Sequence, residues 1–187
     1  MGLILASGSP QRRKLLTQAG IRFRIVPSRV SERSAEKNPR KLVLLLAKRK
    51  AAAVARAHPR DLVLGADTLV VCRGQILGKP KNVKDSLRIL RLLNGSWQRV
   101  YTGVALAADG GKTILQAAVV SRVLARTLPD DELLRFAGKH LDKAGAYAVQ
   151  DRDDPFVARV EGPLDNVVGL PMDAVRRLLA RIRPLKF

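Results

Sequence analysis

The sequence predicts an α/β fold, built as one domain over residues 1–187. Three observations carry that expectation. Leu3-Ile4-Leu5-Ala6 reads as a short buried strand, and it runs through Ser7-Gly8-Ser9 into Pro10, a residue type that opens helices. Apolar runs and capped helical patterns then alternate along the chain without a clear linker, internal repeat or low-complexity segment. With 47% hydrophobic residues in 187, the chain can bury a sizeable core and is not disordered.

Each element has its own signal. Ser9 is the expected N-cap of the first helix, with Leu15, Leu16 and Ala19 along it and Gly20 at its stop. Phe23 to Pro27 reads as a second strand, followed by a polar loop, Ser28 to Lys37, that contains Glu32. Asn38 and Pro39 start a long helix through about Ala57, with Leu42, Leu45, Leu46, Arg49 and Ala53 near helical spacing and Pro59 beyond its end. Lys50 falls at the edge of that stripe, where its ammonium could reach a cleft or simply snorkel to water. Leu62 to Val71 is an apolar strand broken by Gly65-Ala66-Asp67-Thr68, and Arg73-Gly74 marks a hairpin turn returning through Gln75-Ile76-Leu77 to Gly78-Lys79-Pro80. That hairpin is expected to bring Lys79 toward Asp67. Asn82 caps a helix carrying Asp85, Leu87, Leu90 and Leu93, with Gly95 after its end. Trp97 to Ala108 and Thr113 to Thr127 read as strands joined across Asp109-Gly110-Gly111. A short helix begins at Pro129-Asp130-Asp131-Glu132, and a last one runs from about Pro171 to Ile182.

Composition narrows the class. Cys72 is the only cysteine, so no internal disulfide forms, and its place after Leu69-Val70-Val71 favours a buried thiol. His58 and His140 lie at a helix end and in a polar turn; both read as surface or capping residues, since no second histidine or cysteine is spaced to complete a metal set. Leu42 to Leu46 is far too short to span a bilayer, and no basic leader with an apolar segment and cleavage site opens the sequence, so a cytoplasmic address without membrane partners is expected. Lysine and arginine number 35 against 16 acidic residues, a formal net charge of +19. Such an excess raises nucleic-acid binding as an alternative. Its even spread from Arg12 to Lys186 and only seven aromatics (four Phe, two Tyr, one Trp) argue instead for a solvated surface that steers a small polyanion.

Two stretches carry chemistry. Ser7-Gly8-Ser9-Pro10-Gln11-Arg12-Arg13 joins a strand to a helix start, whose amides attract anions; Ser7 and Ser9 add hydroxyls, Gly8 allows close backbone approach, and Arg12 and Arg13 add donor forks suited to phosphate. The alternative is an ordinary capped helix with a solvated basic first turn. Asp67 stands inside an apolar run, where a carboxylate is costly unless it is paired or binds a metal.

With Leu141 to Gln150, Val160-Glu161-Gly162 and Asn166 to Pro171 added, the motifs stand in the order and approximate spacing of the Maf family of nucleoside-triphosphate pyrophosphatases, which the chain resembles over nearly its whole length. The resemblance implies a mixed, strongly twisted sheet flanked by helices, with two lobes around a nucleotide-binding cleft, as in Maf and ITPase-like proteins. It implies cleavage of a nucleoside triphosphate to monophosphate and pyrophosphate with a divalent metal, Mg²⁺ or alternatively Mn²⁺, and a homodimer. Carried over by position, Ser7, Ser9 and Arg12 match the phosphate segment, Asp67 the proton acceptor, and Glu32, Lys50, Lys79 and Gln150 other polar pocket positions. Asp67 and Glu32 would hold the metal, while Lys50 and Lys79 offset charge as the α–β bond breaks. Thr68 and Gln150 match the dTTP/UTP branch rather than the 7-methyl-GTP branch. Gln11 departs from both, because the first arginine of the expected pair is missing, and Arg13 falls on a position that varies within the family.

Overall fold

The computed structural model describes residues 1–149 and 156–182. In chain order the elements are β1 Leu3–Leu5, α1 Pro10–Gln18, β2 Arg24–Ile25, α2 Pro39–Ala57, β3 Leu62–Cys72, β4 Gln75–Leu77, α3 Val83–Leu93, β5 Trp97–Ala108, β6 Thr113–Ala125, α4 Asp130–Phe136, β7 Val157–Glu161, α5 Leu164–Val168 and α6 Met172–Ile182. The strands make one seven-stranded sheet in the order β2-β1-β3-β5-β6-β7, with β4 paired to β3. β1 is parallel to β2 and β3, whereas β4 runs antiparallel to β3 and β7 to β6. The expected mixed α/β sheet is therefore present.

The helix starts follow their caps. The Ser9 hydroxyl accepts the Arg12 amide, Asn38 Oδ1 accepts that of Lys41, and Asn82 Oδ1 that of Asp85. Each removes one of the unsatisfied donors of a first turn. Gly20, past the end of α1, has φ of 68°, a conformation that glycine adopts without strain.

Two compact units share the chain. The first comprises Met1–Asp67, Thr102–Val119 and the chain from Gly169 onward; the second comprises Thr68–Tyr101 and Val120–Val168. In the first unit, alternate residues of the strands divide between two cores, as the two-residue period of a strand requires. Leu3, Leu5, Leu62, Leu64, Ala66, Val104, Leu106 and Ala108 pack with Leu16 of α1 and with Met172, Val175, Leu178 and Ile182 of α6. On the opposite parity, Ile4, Ala6, Val63, Ala105 and Ala107 pack with Ala47, Ala51, Val54 and Ala55 of α2. That second layer is made of small side chains, and two of its strand positions are Gly65 and Gly103.

Those glycines let α2 rest on the sheet backbone to backbone. A Cβ at Gly65 would stand 2.4 Å from the Ala47 carbonyl oxygen and 2.7 Å from the Ala51 nitrogen; one at Gly103 would stand 2.4 Å from the Val43 oxygen. The buried face of α2 is accordingly Val43, Leu46, Ala47, Lys50, Ala51, Val54 and Ala55. Of the expected stripe of Leu42, Leu45, Leu46, Arg49 and Ala53, only Leu46 is buried, and the other four are half-buried. The leucines suggested the wrong phase because the contact selects small residues, and it sets Lys50 on the buried face rather than at its edge.

The second unit has its own core, with Val70, Cys72, Leu77, Ile89, Leu90, Leu93, Val100, Val123, Leu133, Tyr147 and Phe156. Cys72 is buried as expected, and burial pushes its thiol pKa up. Arg73 and Gly74, at φ 47° and 76°, form the two-residue turn between Cys72 and its partner Gln75. Asn166, fully buried, donates to the Val100 carbonyl and the Ser121 hydroxyl. Three further expectations are revised. β2 spans two residues rather than Phe23 to Pro27, although the Val26 amide still reaches the Leu5 carbonyl. The strand from Thr113 ends at Ala125, and His140 is buried rather than a surface group.

Candidate active site

Strand parity carries Asp67 to the α2 side of the sheet, two residues beyond Gly65 and four beyond Val63. There it meets Lys50, which lies one residue before Ala51, one of the two α2 alanines set against Gly65. The Lys50 ammonium donates to Asp67 Oδ1 at 2.5 Å and also pairs with Glu32 Oε1 at 2.6 Å. Lys50 and Asp67 side chains are about one-tenth exposed (11% and 10%), while Glu32 is 60% exposed on its loop. One ammonium thus ties a buried carboxylate to an accessible one.

Arg12 completes the cluster from the first turn of α1. Its Nε donates to the Gly169 carbonyl at 2.9 Å, and its Nη1 donates to the Ala66 carbonyl at 3.0 Å and to the Ser7 hydroxyl at 3.1 Å. Ser7 Oγ accepts the Ser9 amide as well, and the Ser9 hydroxyl donates to Gln11 Oε1. The guanidinium is therefore a fixed positive charge whose orientation the backbone of β3 sets. Gly8 is exposed, and a Cβ there would have only Pro27 Cγ nearby, at 3.9 Å. Among the described residues, then, there is room for a side chain at that point.

Burial dominates the electrostatics. It raises the Asp67 pKa above the ordinary carboxylate value, against the opposing pull of Lys50 and Arg12. It lowers that of Arg12, against the attraction of Asp67 and Glu32. Arg12 and Asp67 are thus charged groups held where burial works against their charge, an arrangement typical of functional sites.

The first unit thus brings together Ser7, Ser9, Gln11, Arg12, Glu32, Lys50 and Asp67. Arg13 is exposed and lines a separate open groove with Thr17, Ile21, Arg22, Phe23 and Ile25. Thr68 and Lys79 belong to the second unit, where Lys79 is exposed two residues after β4. Gln150 lies outside the described residues. Sequence reasoning missed Gly65 and Gly103, which place Lys50; glycines inside strands, matched with Ala47 and Ala51 four apart, were the available signal.

Among the described residues, no group of three His, Cys, Asp or Glu side chains is placed to hold a metal. Asp67 and Glu32 nevertheless converge on one point, the Lys50 ammonium. Two carboxylates completed by phosphate oxygens and water make a donor set that suits Mg²⁺.

Fold and site together define a mixed α/β protein with a buried acid–base cluster beside an anion-attracting helix start. The chain belongs to the Maf family: residues 2–182 match it under the description Maf-like protein. A dTTP/UTP pyrophosphatase of Elusimicrobium minutum is 50% identical over 179 residues, covering 96% of this chain and 97% of the relative. The dTTP/UTP pyrophosphatases of Geobacillus sp. and Salmonella typhimurium are each 43% identical, over 96% and 98% of this chain and 97% and 94% of their own. A solved nucleoside-triphosphatase (dITP/XTP pyrophosphatase) of Mycobacterium abscessus aligns over 100% of both chains at 13% identity and a TM-score of 0.47. No helix among the described residues is long and apolar enough to cross a membrane.

Proposed function

We propose that this protein is a nucleoside-triphosphate pyrophosphatase that hydrolyses dTTP and UTP to the monophosphate and pyrophosphate, acting as a cytoplasmic homodimer. The observation that carries the reading is the Arg12, Lys50, Glu32 and Asp67 cluster, found in a chain 50% identical to a dTTP/UTP pyrophosphatase. In this reading the triphosphate lies against the start of α1, with Ser7 and Ser9 donating to its oxygens. Arg12 and Lys50 are preorganised charges, oriented before substrate arrives, and such groups stabilise negative charge that grows in a transition state. Asp67 accepts the proton of the attacking water as the new P–O bond forms at the α-phosphorus and the bond to the β-phosphate bridge breaks. Its raised pKa suits a proton acceptor.

Asp67 and Glu32 would hold a divalent cation, Mg²⁺ or Mn²⁺, with the substrate's own oxygens completing its shell. Such a cation supplies charge neutralisation to the phosphates and Lewis acidity to the scissile bond. Lys50, already held by both carboxylates, adds a positive charge that would offset that of the polyphosphate. Thr68 and Gln150 support pyrimidine choice through the resemblance stated above, and Lys79 is assigned a further charge-offsetting role on the same ground. Gln11, tied by Ser9, keeps hydrogen-bonding capacity at a position that lacks the expected cation.

The test is pyrophosphate release from dTTP, UTP, CTP, GTP, ATP and 7-methyl-GTP, with Mg²⁺ and with chelator, on wild type and Asp67→Asn. Release led by dTTP or UTP, abolished by chelator and by the substitution, is expected. A lead by 7-methyl-GTP would overturn the substrate, and retention of near-wild-type turnover by Asp67→Asn would overturn the base.

A further inference from the structure

We infer that Arg49 is a positioning residue for Glu32, holding the loop of residues 28–38 onto α2 so that the Glu32 carboxylate meets Lys50. The inference deepens the reading proposed above and rests on it. Arg49 Nη1 donates to the Arg33 carbonyl at 2.8 Å, and the next residue, Lys50, pairs with Glu32 at 2.6 Å. Two consecutive residues of one helix thus grip two consecutive residues of the loop, one by its backbone and one by its side chain.

The bonds within the loop are of another kind. Ser28, Ser31 and Ser34 hydroxyls each accept the amide two residues on, and Glu36 Oε1 accepts that of Asn38. Turns of this range shape a segment locally without fixing it to the body of the protein. Glu32 is 60% exposed, so packing contributes little to its position. A salt bridge at such exposure is weak by itself, whereas a guanidinium bonded to a backbone carbonyl one residue away restricts the carboxylate before any ligand arrives. Arg49 makes its hydrogen bond to the loop and none to Asp67 or the start of α1, so its influence passes through the loop.

The experiment compares wild type, Arg49→Ala, Arg49→Lys, Glu32→Gln and the Arg49→Ala/Glu32→Gln double variant of the full chain. The readouts are the Mg²⁺ concentration for half-maximal dTTP hydrolysis, kcat, and the rate of tryptic cleavage after Arg29, Arg33 and Lys37 in metal-free, nucleotide-free protein. Partners that orient metal ligands typically carry about 10- to 100-fold in affinity, so Arg49→Ala is expected to raise half-saturating Mg²⁺ by about tenfold with a smaller change in kcat. It should also speed loop cleavage without lowering Tm, and Arg49→Lys, which keeps a donor, should restore part of both. In the Glu32→Gln background, adding Arg49→Ala should leave the Mg²⁺ dependence where Glu32→Gln put it. If Glu32→Gln raises half-saturation and Arg49→Ala does not, the positioning role fails while the reading of Glu32 stands. If Glu32→Gln itself changes nothing, the reading of Glu32 fails and the role of Arg49 with it. Multiplying effects in the double variant would mean that Arg49 acts elsewhere, and would overturn the inference too.

Discussion

Lys50–Asp67 in the first unit and Arg91–Asp130 in the second are two ion pairs of similar length and opposite surroundings. The second is geometrically the better made: Nε and Nη2 of Arg91 reach both oxygens of Asp130 at 2.7 and 2.6 Å. Its side chains are half in water, 52% and 56% exposed, where charges are solvated with or without each other. Lys50 and Asp67 make a single bond among buried groups, and there burial works against the carboxylate's charge. A buried pair is weak support for a fold, because desolvation offsets much of its attraction. The comparison teaches that the better bond does less: Arg91–Asp130 decorates a surface, whereas Lys50–Asp67 holds a carboxylate out of water, the setting the proposed chemistry calls for.

Four substitutions break or sharpen that contrast. Asp67→Asn should cost about 10³-fold or more in turnover, within the range for losing a general base, while circular dichroism stays native. Arg12→Ala should cost about 10²-fold in kcat/KM by the same factor for dTTP and UTP, since the group would act on phosphate; a loss confined to one base would contradict it. Gly65→Ala would set a Cβ against the α2 backbone, and overpacking of this kind costs about 1–3 kcal/mol, read as a lower urea midpoint. Its activity should fall as well, because the displaced helix carries Lys50. Asp130→Asn should leave turnover and neutral-pH Tm unchanged. Arg91 lowers the Asp130 pKa, so whatever the pair adds is present above the ordinary carboxylate value and lost as pH falls through the folded one. A clear loss at neutral pH would show that exposure does not separate the two pairs.

Much of the fold was legible because it is written in local signals. Ser9, Asn38 and Asn82 each mark a helix start by a side chain that bonds the third amide on, and α1, α2 and α3 begin where those caps predict. Trp97 to Ala108 was readable as one strand for the same reason, between Gly95 and the Asp109-Gly110-Gly111 turn. β7 and α5 are five residues each and carry no cap or clean alternation, so only their pairing and packing define them. The phase of α2 was missed because it answers to glycines in distant strands, Gly65 lying 14 residues beyond Ala51 and Gly103 lying 60 beyond Val43.

The site divides in the same way. Asp67 stood out by the cost of a carboxylate in an apolar run, a physical argument that needed no relative. Glu32 and Lys50 are unremarkable in sequence, a loop acid and a helix lysine, and were assigned through the family resemblance alone. Their meeting at 2.6 Å is a property of the folded chain. Arg13 looked as apt as its neighbour for binding phosphate, yet one step along a helix turns a side chain by about 100°, and it lines a different groove.

The glycine contacts of α2 bear on how substitution data for this protein should be read. At Gly65 and Gly103 every side chain begins with an atom that has no room, so a saturation library scored for activity should show these two columns as intolerant as that of Asp67. Scored by stability instead, the two glycines should remain intolerant while Asp67 relaxes. Intolerance alone would group Gly65, Gly103 and Asp67 together; only the second score separates the proposed base from the residues that let a helix come close enough.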